Sequence, residues 1–186
     1  MTAVDPGWIR PEPGWVCVEC GFNFDACEPT TTPEIIEKLG SRYLIPLSRG
    51  LTDEDLDALL RTRSATGGWS ALEYACHMRD VLMFNIDRVE RVVAEDQPSF
   101  EGGTPEKAAV ARDYDGQDPA VVADELATAA NTLSAKLRSL SGDEWVRIGR
   151  RESFEMTIEW MARNVVHEGT HHLLDVARAL RSARGR

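Results

Sequence analysis

Positive charge is scarce in this chain of 186 residues. It has 21 lysines and arginines against 31 aspartates and glutamates, a formal net charge of −10, and its only lysines are Lys38, Lys107 and Lys136. A chain this acidic lacks the basic face that a phosphate backbone requires, which argues against a nucleic-acid partner. Long apolar runs are also missing. No stretch approaches the roughly 18 consecutive apolar residues of a membrane span, so no membrane partner is expected. The first residues, Met1 to Trp8, have neither the basic start nor the apolar run of a secretory signal, and a cytoplasmic location is expected. Cysteine is sparse, at Cys17, Cys20, Cys27 and Cys76. In a reducing compartment a CxxC pair is better read as metal-binding or redox-active than as part of a disulfide framework.

What is present is helical patterning. The length suits one domain with one sizeable core. Residues 1–32 hold four of the nine prolines and three of the four cysteines, and read as an irregular N-terminal arm. Residues 33–186 read as a helical bundle. Its first helix opens at Thr32-Pro33, with the stripe Ile35, Ile36, Leu39, Tyr43, Leu44 and Leu47. A short helix follows from Thr52 to Leu60. Ser70 and Glu73 form a capping box before a second long helix that runs to about residue 95. Residues 97–117 read mostly as loop. Asp118-Pro119 opens a third helix, and a fourth runs from about Thr157 to Leu180. Strand patterning is limited to a weak signal over Trp145–Ile148. Four substantial helices joined by loops indicate an all-α bundle.

The four histidines are not scattered. His77 falls on the second long helix, and His167, His171 and His172 fall on the fourth. His167 and His171 are four apart, one turn along the helix and about 40° apart in direction, so two imidazoles can converge on one ion. His77 supplies a third. Three neutral imidazoles leave a coordination position open, as in catalytic zinc sites. A competing register pairs Glu168 with His172, also four apart and nearer the core stripe, and a His/Glu/His set is chemically sound. The bland reading is that an HxxxH pair arises by chance and that a lone buried histidine is a hydrogen-bonded core residue. His77, His167 and His171 all lie nearly opposite the main apolar stripes of their helices, which places them at a second interface or cleft. The arm, with Trp15, Phe22 and Phe24, is a candidate lid for it.

Trp69 to Asp80 resembles the second-helix signature of the DinB/YfiT-like superfamily, and Val166 to Asp175 resembles its last-helix HxxxH motif. The resemblance covers roughly residues 33–182. It implies a four-helix up-down-down-up bundle holding a divalent metal through three ligands, which by motif position are His77, His167 and His171. Some relatives carry glutamate at the middle ligand. The resemblance also implies frequent homodimers and a small-molecule substrate. Its thiol-dependent enzymes, a mycothiol-dependent maleylpyruvate isomerase and bacillithiol S-transferases, imply a metal-dependent transferase or isomerase with a low-molecular-weight thiol as co-substrate. The alternatives are a metal-dependent hydrolase and a non-enzymatic metal- or stress-responsive binding protein. Zinc suits the donors best; nickel, iron and manganese also accept them. Asp80 and Asp175, one turn from the histidines, are candidates to orient imidazoles. Arg163 and Arg178 are candidates to bind a carboxylate.

The arm carries its own motif. Trp15 to Phe22 looks like one knuckle of a zinc ribbon, with Cys17 and Cys20 facing one ion and Gly21 permitting the turn. A second CxxC is absent. Cys27 is a candidate third ligand, and a fourth would come from another residue or another chain. Redox activity, or plain unliganded thiols, are the other readings. Cys76, on the core stripe of the second helix, reads as a small buried apolar residue.

Overall fold

The computed structural model describes residues 12–64 and 67–185; residues 1–11 of the arm lie outside them. Six helices and one hairpin are present among the described residues: α1 (Thr32–Ser48), α2 (Leu56–Arg61), α3 (Ala71–Ala94), α4 (Pro105–Ala111), α5 (Pro119–Arg138), β1 (Ile148–Arg151), β2 (Phe154–Thr157) and α6 (Ile158–Ala183). None of the helices is long and apolar enough to cross a membrane.

The long helices start where local chemistry dictates. The Ser70 hydroxyl accepts from the Glu73 amide and the Glu73 carboxylate accepts from the Ser70 amide, so the capping box closes in both directions. Asp118 caps α5 through the amides of Ala120 and Val121, and Thr157 caps α6 through Trp160. Two elements depart from the sequence pattern. Thr104 and Pro105 start α4 inside the stretch expected to be loop, and at seven residues α4 is too short to show a period. The expected strand signal sits a few residues early. The strands are Ile148–Arg151 and Phe154–Thr157, antiparallel, with Gly149 opposite Met156.

α1 and α3 lie on one diagonal of the bundle, each packed against both α5 and α6. The core between them holds Ile36, Leu39, Tyr43, Leu72, Leu82, Leu126, Leu133 and Met161, all essentially inaccessible. Leu44, expected on the apolar stripe of α1, is instead exposed. One close approach locks α6 in place. Gly169 of α6 faces Leu39 of α1 so tightly that a Cβ there would stand 2.4 Å from Leu39 Cδ1. The Tyr43 hydroxyl donates to the Gly169 carbonyl at 3.0 Å across the same contact. This seam sets the height and rotation of α6, and with them the direction of the side chains on either side of Gly169.

Both the seam and the capping box have measurable consequences for stability. Gly169→Ala gains about 1 kcal/mol of helix propensity, but overpacking a buried seam costs about 1–3 kcal/mol. A net fall in Tm is expected by thermal unfolding. For Glu73, burial acts to raise the carboxyl, but its ion pair with Arg63 and its bonds to Ser70 outweigh burial and leave it lowered. A lowered folded value stabilises fully above the ordinary carboxylate range, and the contribution is lost as pH falls through the folded value. Glu73→Gln keeps an acceptor for the Ser70 amide but loses the ion pair with Arg63, and is expected to lower stability at neutral pH by about 1 kcal/mol, read as a fall in Tm. The gap should narrow below about pH 4.

Candidate metal centre

Consecutive residues on an α-helix point about 100° apart, and α6 uses that rotation to build two clusters from one stretch. His167 and His171 face the N-terminal arm. Glu168 and His172 face α3. His77 is therefore not brought together with His167 and His171. Its Nε2 lies 3.5 Å from Glu168 Oε2, and the same carboxylate oxygen lies 3.3 Å from His172 Nε2. One ligating atom from each of His77, Glu168 and His172 falls within 4.8 Å of the other two. The structure thus assembles the competing register around His77, and the HxxxH pair is spent on a different neighbour.

Two ligands at ordinary zinc–nitrogen or zinc–oxygen distances in a tetrahedron are about 3.3 Å apart. The separations around Glu168 match that spacing, and the two-imidazole, one-carboxylate donor set is that of open catalytic zinc sites. The three residues fit a divalent cation by both tests. Asp175 completes the arrangement from behind: its Oδ2 lies 3.1 Å from His172 Nδ1 and fixes the ring so that Nε2 turns toward Glu168. Rings fix the rest. Trp69 packs its edge on His77 at 5.3 Å, and Tyr74 lies 5.4 Å from His172.

Burial acts against a charged His172, but Asp175 and Glu168 outweigh it and push the imidazole up to about 9. Burial likewise acts to raise Glu168, and the two imidazoles beside it hold it well below the usual carboxylate range.

Asp80 has a different task from the one its spacing implied. It is 1% exposed, and its carboxylate accepts from the Tyr114 hydroxyl at 2.6 Å, pairs with Arg79 and meets Arg112 at 3.0 Å. Arg79, itself buried, continues to Gln117 and Glu125. This network ties α3 to α5 and to the segment after α4. Cys76 is fully buried beneath it, its thiol pushed up to about 12 by burial. Arg163 and Arg178 serve the arm: Arg163 donates to the Cys27 carbonyl at 2.7 Å, and Arg178 bridges Glu19 and Asp175.

His77, Glu168 and His172 line one wall of a cleft of about 870 Å³. Trp69, Tyr74, Val81, Phe84 and Tyr114 make it largely apolar, while Asn85, Arg88 and Arg151 add polar groups at its far side. The segment from Glu101 to Glu106 forms the outer rim. Arg88 and Asn85 were missed in the sequence, yet the signal was present. Val81, Phe84 and Arg88 continue the His77 face of α3 at helical spacing. The rim segment carries no comparable signal.

The sequence model of the DinB superfamily matches residues 42–176, most of the chain and every residue that lines the cleft. The chain belongs to the DinB superfamily. This DinB chain is also similar to a solved structure from Bacillus subtilis, YfiT, described as a probable metal-dependent hydrolase with an unusual four-helix bundle topology. The two share 19% identity and superpose with a TM-score of 0.69 over 81% of this chain and 86% of that one, which establishes a common fold. No curated protein matches the chain.

The Asp80 network yields a prediction that separates it from the metal centre. Asp80→Ala leaves Arg79 without its buried carboxylate partner, with only the half-exposed Glu125 remaining, and is expected to cost about 3 kcal/mol in urea unfolding. Metal content at neutral pH should stay unchanged, as befits a residue that holds helices rather than an ion.

Proposed function

We propose that this DinB protein is a divalent-metal-dependent enzyme acting on a small molecule in the cleft, with His77, Glu168 and His172 as the ligands. One observation carries the reading. Three metal-type donors from α3 and α6 converge at ligand spacing on the wall of a substrate-sized cleft. A cation held by three protein donors keeps a position open, where it acidifies a bound nucleophile or polarises a carbonyl.

The chain's own residues do the rest. Asp175 orients His172, and Trp69 and Tyr74 hold the imidazole planes. Val81 and Phe84 present an apolar wall to the substrate. Among the described residues no cysteine lines the cleft, so a thiol nucleophile must arrive as a co-substrate. A volume of about 870 Å³ has room for a low-molecular-weight thiol beside a small acceptor. That room supports a thiol-dependent transferase or isomerase of the mycothiol type. The likeness to YfiT supports a second reading, hydrolysis of a small substrate. Homodimeric assembly comes with the family resemblance.

Metal analysis of the purified chain and of His77→Ala tests the ligand set. The variant should lose about one equivalent of metal and all turnover. Equal metal in both proteins would remove His77 from the site. Asp175→Asn should weaken metal binding by about 10–100-fold. A conjugation screen run with and without thiol separates the two reactions: turnover only with thiol supports the transferase or isomerase, and turnover without it supports the hydrolase.

A further inference from the structure

His167 and His171 are left over once the cleft has taken Glu168 and His172. Their neighbours are Cys17 and Cys20 of the arm, and ligating atoms of all four residues lie within 4.8 Å of one another. Cys17 Sγ stands 3.5 Å from His171 Nδ1. A thiolate and an imidazole sharing a tetrahedral zinc are about 3.6 Å apart. We propose that Cys17, Cys20, His167 and His171 hold a second ion, a structural zinc that clasps the arm to α6.

The backbone of the arm has the shape such a site needs. The Gly21 amide donates to the Cys17 carbonyl at 2.8 Å, and the Cys17 amide to the Phe22 carbonyl at 2.9 Å. Gly21 takes φ +72°, a conformation that suits glycine and turns both thiols to one side. Val16 and Asn23 pair across the base of the turn. The half-ribbon that lacked a second CxxC is completed by an HxxxH pair nearly 150 residues later in sequence. Cys27 does not join the cluster. It is buried among apolar side chains, and its carbonyl rather than its thiol is engaged.

This centre is closed where the other is open. Four protein donors fill a tetrahedron and leave no position for water or substrate. Trp15, Phe22 and Phe24 pack around the His167 ring at 5.4, 5.3 and 5.8 Å, and His167 is 3% exposed. None of the four ligands lines the cleft. Two thiolates with two imidazoles select zinc over magnesium or calcium, whose ligands are oxygens. Behind His171, Nε2 lies 3.6 Å from Asp175, the outer partner that a metal-bound imidazole usually has.

The inference does not depend on the catalytic reading, because different variants empty the two centres. The full chain, stripped of metal under reductant and reloaded with cobalt, is expected to show a thiolate-to-cobalt charge-transfer band and tetrahedral visible absorption. His77→Ala should keep that band. Cys20→Ser and His167→Ala should abolish it and lower zinc content by about one equivalent per chain. Limited proteolysis should then cut the arm of Cys20→Ser faster than that of the unmutated chain. The band is read on the unmutated chain, so a variant that folds poorly leaves the test intact. Absence of the band would overturn the proposal, as would a Cys17–Cys20 disulfide in anaerobically purified protein. So would Cys20→Ser with undiminished zinc.

Discussion

A carboxylate taken out of water needs a partner for its charge. Glu168 stands largely out of water between α3 and α6, and much of the structure answers that need. His77 and His172 meet one of its oxygens, and Asp175 in turn steadies His172. The Leu39–Gly169 seam brings α1 close enough to fix the rotation of α6 at this point. Were α6 turned by one residue, Glu168 and His172 would give way either to Gly169 and Leu173, which offer no donor, or to His167 and His171, which would leave the arm. Packing in the core thus decides which side chains meet at the surface of the cleft.

Most of the frame was legible in the sequence. The Ser70/Glu73 box and Asp118-Pro119 mark helix starts because each satisfies backbone amides locally, without help from tertiary contacts, whereas at Thr32-Pro33 the proline alone marks the start: the Thr32 hydroxyl donates to the Pro29 carbonyl and caps no amide. α4 and the hairpin were harder for the opposite reason. Seven residues cannot display a helical period, and the strands, IGRR and FEMT, are four residues each, too short for alternation to stand out. Their form is set by what they cover.

The proposed ligand set was only partly legible. His77 and the fourth helix were identifiable, but spacing cannot choose between two i,i+4 pairs offset by one residue. The fold adds what spacing lacks: His167 and His171 lie beside Cys17 and Cys20, and three aromatic rings of the arm pack on His167. An incomplete CxxC motif and a surplus of histidines were each ambiguous alone. Together they account for one another. Asp80 shows the complementary failure: one turn from His77 along the helix, it is committed to Tyr114, Arg79 and Arg112.

Asp175 stands between the two clusters. Its Oδ2 is 3.1 Å from a His172 nitrogen and 3.6 Å from a His171 nitrogen, while Arg178 holds its other oxygen and reaches on to Glu19 in the arm. One oxygen divided between two rings makes the clusters thermodynamically reciprocal. Whatever free energy docking of the arm adds to or withdraws from that carboxylate, the cleft returns to the arm in equal measure. The arm and the cleft thus lean on one shared carboxylate rather than on two independent supports.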